Sequence, residues 1–193
     1  MRLILSSCDF GHAESAKSIK NHLCKPIADC KVLYFPNEKA TPEMIKSGKY
    51  ETRLAAFGFQ KKNIYVANYF DPKPFFDLKI DVIYISGGNT FGTMKRLRES
   101  GFDQAIINYV QNDVLYIGGS AGAHIATASI AHVAKYEKDT FGLTDFSGLG
   151  LYGGILICHY TEERKADFEE LQAQGTYPVH ALVDGKSILI RDE

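Results

Sequence analysis

The stretch Val114-Leu-Tyr-Ile-Gly-Gly-Ser-Ala-Gly-Ala-His-Ile-Ala-Thr127 carries a short apolar run into Gly118-Gly119-Ser120-Ala121-Gly122 and then into small residues compatible with a helix. It reads as strand, sharp turn, helix, with Ser120 at the apex, and its Gly-x-Ser-x-Gly spacing matches a nucleophile elbow. A tight turn of this kind needs small neighbours. A serine there has its hydroxyl held off the C-terminal end of a strand and at the positive N-terminus of the next helix. The backbone N–H of Ala121 can then face a developing oxyanion. Many Gly-rich strand-to-helix turns instead pack closely or hold a phosphate, so the rest of the chain has to decide between acyl chemistry and anion binding.

Working outward, strand-like and helix-like segments alternate. Leu3-Ile-Leu5 reads as a short buried strand, Ser15 to Leu23 as a helix, and Lys31-Val-Leu-Tyr-Phe35 as a second strand stopped by Pro36. Pro42 opens a helix that is expected to run to about Phe57 and end at Gly58, since proline favours the first helical position. Asn63 to Ala67 and Asp81 to Ser86 are further strands, rich in branched and aromatic residues. Gly87-Gly88-Asn89-Thr90 follows the second of these directly, and Asn89 or Thr90 can cap a helix over Phe91 to Glu99. Another helix spans about Phe102 to Gln111. From Ala128 to Gly154 the periodicity fails and a glycine-rich stretch reads as a long loop, of the length usually tied to function or disorder. Ile155 to Cys158 forms a strand ending in His159-Tyr160, Thr161 caps a helix to about Gln172, and Val179 to Val183 is a strand. Asp184-Gly185 signals a hairpin turn with Ser187 to Ile190 as the returning strand.

This alternation predicts right-handed βαβ units and a mainly parallel sheet covered by helices on both faces, an α/β three-layer sandwich. The ligand crevice of such a sheet lies beyond the carboxyl ends of its strands. The Gly87 and Ser120 turns share that edge and converge if their strands are neighbours. The chain's 193 residues fit one domain over 1–193, with no linker and no internal repeat.

Composition narrows the function. Hydrophobic residues make up 45% and charged residues 23%, as in a globular chain with a sizeable core. The formal net charge is −1, with Lys and Arg scattered, so no basic stripe points to nucleic acid. No apolar run approaches the roughly 20 residues that span a bilayer. At the N-terminus Asp9 arrives before a signal peptide's apolar core could reach length. The four cysteines, Cys8, Cys24, Cys30 and Cys158, show no zinc-like spacing, which reads as reduced thiols in a cytoplasmic protein without a structural metal.

A serine nucleophile needs a base, and the base needs a third group that holds its tautomer. Of six histidines, His159 is the first choice because it ends a strand, as Ser120 does, so one sheet could carry both to one edge. His124, four residues after Ser120, is second, since a helical i+4 neighbour points back along the helix. His12 lies in the first strand-to-helix loop, while His22, His132 and His180 read as ordinary surface or strand residues. For the acid, Asp184 ends a strand near His159; Glu137 and Asp139 in the long loop are the reserves.

With these residues in place, the chain resembles the peptidase E, or aspartyl dipeptidase, family of serine peptidases, to which cyanophycinase is related. Ile85-Ser-Gly-Gly-Asn-Thr-Phe91 is similar to the family's Gly-Gly-Asn-Thr-Phe segment, and Leu115 to Ala123 to its nucleophile segment. Cys158-His-Tyr-Thr161 looks like the Pro-His-Phe-Thr segment that bears the catalytic histidine, and Leu182-Val-Asp-Gly185 like the late Leu-Pro-Glu-Gly segment. The resemblance implies Ser120 as nucleophile, His159 as base, Asp184 as orienter, and the N–H groups of Gly88 and Ala121 as oxyanion hole. It also implies a fold like that of class I glutamine amidotransferases, removal of N-terminal aspartate from short peptides, and no metal or other cofactor. Asn89 and Arg164 are the residues it suggests for substrate contact. The family's loop after the histidine segment is shortened here, its Arg-rich helix start is represented by Glu162-Glu-Arg-Lys165, and a terminal segment typical of peptidase E is expected to be missing.

Two other function classes compete with hydrolysis. One is a flavodoxin-like binding module whose Gly87 and Ser120 turns present N–H groups to an anion; the other is a pseudoenzyme that acts through a homodimer surface.

Overall fold

The computed structural model describes residues 1–191. In chain order the elements are β1 (Arg2–Ser6), α1 (Ala13–His22), β2 (Val32–Phe35), α2 (Pro42–Lys46), α3 (Lys49–Phe57), β3 (Ile64–Val66), β4 (Val82–Ile85), α4 (Thr90–Ser100), α5 (Phe102–Gln111), β5 (Leu115–Gly119), α6 (Ala121–Ile125), β6 (Ile155–Cys158), α7 (Lys165–Gln174), β7 (Val179–Leu182) and β8 (Ser187–Arg191). Six strands form one sheet in the order β3-β2-β4-β5-β1-β8. All its pairs are parallel except β1 with β8.

The strands read as unbroken apolar runs because both faces of the sheet are covered. Successive residues alternate between two cores. Leu33, Phe35, Ile83, Ile85 and Tyr116 pack on the side of α4 and α5 with Phe91, Met94, Leu97, Phe102 and Ile106. Val32, Tyr34, Val82, Tyr84, Leu115 and Ile117 face Ile19 of α1 and Tyr50 and Leu54 of α3. Two helix layers around one sheet make the three-layer α/β sandwich that the alternation predicts. No helix among the described residues is long and apolar enough to cross a membrane.

Four expectations are corrected. The helix from Pro42 to Phe57 is two helices, because Gly48 sits at φ 75° and breaks it. A left-handed backbone there is open to glycine at no steric cost. Asp184-Gly185 does make a turn, with Lys186 N–H donating to the Val183 carbonyl at 3.1 Å, but not a β-hairpin. β7 pairs in parallel with β6 in a second, two-stranded sheet, while β8 runs antiparallel along the outer edge of β1. One sheet therefore does not carry both Ser120 and His159, since His159 directly follows β6 of the smaller sheet. Finally, Thr161 makes no side-chain cap; a 3₁₀ turn at Glu162–Arg164 leads into α7, which stops at Gly175, φ 66°.

The two sheets are joined through side chains. Ile155 and Ile157 of β6 pack against Leu171 of α7, and Leu156, Cys158 and Leu182 belong to the core on the α4 side. The stretch from 128 to 154 has no strand of its own but is tied down, with a 3₁₀ turn at Ala131–Lys135 and bridges Thr127 to Tyr152 and Ser129 to Ser147.

Candidate active site

The elbow is built by close approach. A Cβ on Gly118 would lie 2.6 Å from the Gly122 carbonyl oxygen, one on Gly119 2.2 Å from Asp9 Oδ2, and one on Gly122 2.1 Å from the Ile85 carbonyl oxygen. Only glycine fits these positions, so the chain can turn back within one residue. That residue is Ser120, at φ 48° and ψ −109°, a conformation costing a non-glycine residue on the order of 1–3 kcal/mol unless its surroundings hold it. Here they do: Ser120 N–H donates to the Ser6 carbonyl at 2.8 Å, and the Ser120 carbonyl accepts from Ala123 and His124.

β4 and β5 are neighbours, and the Gly87 turn does converge on Ser120, with a Gly87 Cβ falling 3.5 Å from Ser120 Cβ. Asn89 rather than Thr90 caps α4, its Oδ1 accepting from Gly92 N–H at 2.9 Å. Its Nδ2 donates to the Lys138 carbonyl, so both ends of the side chain are engaged locally. Glu38 and Glu137 take the next donors: Asn89 N–H meets Glu38 at 2.9 Å, while Thr90 N–H and Oγ1 meet Glu137 at 2.7 and 3.0 Å. Neither Gly88 N–H nor Ala121 N–H donates to a protein acceptor among the described residues.

Ser120 Oγ lies 3.0 Å from His159 Nε2, and His159 Nδ1 lies 2.7 Å from Asp184 Oδ1. The hydroxyl, imidazole and carboxylate thus form one line on an open shelf, with the His159 side chain 42% and the Asp184 side chain 56% exposed. His159 is itself held at φ 52°. Partial burial works to raise the Asp184 carboxyl, but hydrogen bonds from Cys8 and His159 outweigh it and keep the group below the ordinary carboxylate range. It is an anion at neutral pH.

Two residues with no motif around them arrange this line. Ser7 Oγ donates to the Leu182 carbonyl at 2.6 Å and accepts from His159 N–H at 2.9 Å, so a serine after β1 clamps the ends of β6 and β7. Cys8 lies beside Asp184, and burial together with that carboxylate pushes its thiol up to about 11, so it is no rival nucleophile at neutral pH. The only hint in the sequence was that Ser6-Ser7-Cys8 ends a strand at the functional edge.

The other candidates are accounted for. His124 is 3% exposed; its ring sits 3.5 Å from Thr90 Oγ1 and 3.5 Å from Cys158 N, facing His132. Burial pushes it down to about 3, which makes it a poor base. Asp139 accepts from the N–H groups of Phe141, Gly142 and Leu143 and Glu137 accepts from Thr90, so neither reserve acid bonds His159. His12 Nδ1 accepts from Glu14 N–H, capping α1, and packs on Gly185. Arg164 lies with its guanidinium 4.2 Å from the Tyr136 ring centroid and donates to the Cys158 carbonyl, one residue before His159.

His124 gives a pH prediction. The folded chain keeps this imidazole neutral down to about 3, whereas the unfolded chain protonates it near 6.5. Between those values the unfolded state binds the extra proton. Stability is therefore intact above pH 6.5 and drains as pH falls, by up to about 1.4 kcal/mol per pH unit. Urea unfolding of the wild type is expected to weaken on this account by about 3 kcal/mol from pH 6.5 to 4, and His124→Gln is expected to flatten that slope. Parallel slopes for the two chains would show that His124 is not the group responsible.

Comparison with known proteins gives the chain a family. The sequence model of peptidase family S51 matches residues 3–193. An uncharacterized peptidase of Listeria innocua is 32% identical over 125 residues, covering 60% of this chain and 57% of that protein. Peptidase E of Salmonella gallinarum is 44% identical over 83 residues, 43% of this chain and 35% of the relative. The chain thus spans less than two thirds of the length of the curated relatives it matches. Among solved structures, a candidate peptidase E from Listeria monocytogenes superposes with a TM-score of 0.73 at 20% identity, covering 100% of this chain and 98% of that one. At that identity the likeness speaks for the fold.

Proposed function

The chain belongs to peptidase family S51, and from that premise we propose that it is a serine-type peptidase which cleaves small peptides through an acyl-enzyme. The observation that carries the reading is the contact of Ser120 Oγ with His159 Nε2 at 3.0 Å, continued to Asp184 at 2.7 Å. His159 Nε2 takes the Ser120 proton as Oγ attacks the scissile carbonyl, then passes it to the leaving amine. Asp184 holds the Nδ1–H and stabilises the imidazolium that forms in between. The N–H groups of Gly88 and Ala121 receive the oxyanion. Water then attacks the acyl-enzyme by the same route in reverse, with His159 again the base. The whole cycle fits one domain over residues 1–193.

The finer reading is removal of N-terminal aspartate from dipeptides. It rests on Arg164, whose guanidinium is tethered to the Cys158 carbonyl and keeps further N–H donors for a substrate carboxylate. Asn89 serves by fixing the turn that carries Gly88, through its cap on α4 and its bond to Lys138.

A fluorophosphonate probe is expected to label the wild-type chain and to leave Ser120→Ala unlabelled, with Asp-X dipeptides in the first substrate panel. Equal labelling of the two chains would remove Ser120 as nucleophile.

A further inference from the structure

The line from Ser120 to Asp184 has a fourth member that hydrolysis does not use. Cys8, His159 and Asp184 come from three segments, following β1, β6 and β7, and their ligating atoms all lie within 4.8 Å of one another. The Cys8 thiol lies beside the Asp184 carboxylate, and His159 and Asp184 are open to solvent. A thiol, an imidazole and a carboxylate are the three ligand types that zinc takes. With Zn–ligand bonds of about 2.0–2.3 Å in a tetrahedron, adjacent ligand atoms sit roughly 3.3–3.8 Å apart. The cluster, with its 2.7 Å His159–Asp184 contact and its 4.8 Å outer limit, brackets those separations, so side-chain adjustment alone closes the site.

We propose that Cys8, His159 and Asp184 form a binding site for a divalent cation of the zinc type, and that a metal seated there turns off the Ser120–His159 pair. The inhibitory half rests on the peptidase reading; the binding half does not. The cation bonds Cys8 Sγ, His159 Nδ1 and one Asp184 oxygen, with water in the fourth position. The thiol gives up its proton to solvent as the Zn–S bond forms. On the imidazole, the metal takes the place of the proton at Nδ1, and the neutral ring then carries its proton on Nε2. That nitrogen now donates to Ser120 Oγ instead of accepting from it. Ser120 loses its base although the imidazole remains beside it.

Cobalt(II) serves as the probe because its thiolate complexes absorb. Titrating the metal-free wild-type chain with Co²⁺ is expected to produce a thiolate-to-cobalt charge-transfer band in the near ultraviolet, with the visible bands of a four-coordinate centre, both displaced by Zn²⁺. Ser120→Ala keeps the band at unchanged affinity, because Ser120 is no ligand. Cys8→Ser loses the band and binds Co²⁺ on the order of 100-fold more weakly, at least the loss seen when a mere outer-shell partner is removed. Saturating Zn²⁺ is expected to block fluorophosphonate labelling of wild-type Ser120, and a chelator to restore it. Absence of the charge-transfer band in the wild type, or equal Co²⁺ affinity in Cys8→Ser, overturns the site. A zinc-saturated chain that labels at the metal-free rate overturns the switch. If the band forms but metal-free Ser120 never labels, the peptidase reading fails while the metal site stands.

Discussion

Replacing His159 with alanine is expected to lower kcat on a small peptide by about 10⁵-fold, and adding Ser120→Ala to that variant is expected to lower it no further. The reason is that the two groups act as one: without the imidazole 3.0 Å away the hydroxyl keeps its proton, and without the hydroxyl the imidazole has nothing to activate. What survives in either variant is the residual catalysis of the backbone N–H groups and binding. Asp184→Asn belongs to the same set but costs less, about 10³–10⁴-fold, since it leaves the base in place and disturbs its tautomer. Steady-state rates for the two single variants and the double variant decide the matter. Losses that multiply would mean that Ser120 and His159 work independently. A His159→Ala variant with near wild-type turnover would move the base elsewhere, and His124 would have to overcome a burial that pushes it down to about 3.

Much of this arrangement could be read from the residues because the elbow is a steric problem with one solution. Gly118, Gly119 and Gly122 stand where any Cβ would meet a backbone carbonyl or the Asp9 carboxylate, and such a run of small residues after an apolar strand is visible without coordinates. The alternation of apolar runs with helical periods predicted the two-sided sheet for the same reason: strands buried on both faces have no polar side to show. Pairing partners were another matter. Asp184-Gly185 carries the hairpin signal and does form the turn, yet β8 leaves β7 for the unpaired edge of β1, while β7 lies parallel to β6. Turn chemistry fixes the local backbone, and which edge a strand covers is decided by burial elsewhere. The clamp at Ser7 stayed hidden for a similar reason. Its partners, Leu182 and His159, are more than 150 residues away in the chain, and no local pattern encodes a hydrogen bond of that span. The break at Gly48 was present in the residues, but an isolated glycine inside a helical stretch is tolerated too often to announce a break by itself.

Gly122→Ala is expected to destabilise the fold by about 3 kcal/mol or more, a fall in Tm of about 6–12 °C for a chain of this size. The added methyl would sit 2.1 Å from the Ile85 carbonyl oxygen and 3.0 Å from Ile85 Cβ, and neither neighbour can yield easily. Ile85 is a fully buried residue of a central strand paired on both sides, so moving its carbonyl disturbs the sheet. The Gly122 backbone is equally held, its carbonyl accepting from the Tyr116 hydroxyl at 2.7 Å within the core. Gly153→Ala is the control, because a Cβ there meets nothing within 4 Å and a surface change of that kind stays within about 0.5 kcal/mol. Calorimetry on the two variants beside the wild type reads the difference directly. The same substitution bears on the chemistry, since α6 can relieve the clash only by backing away from β4, which carries Ser120 away from the Gly87 turn. A Gly122→Ala chain with unchanged Tm and undiminished fluorophosphonate labelling would mean that the elbow relaxes freely, and that close packing is not what holds Ser120 in its strained backbone.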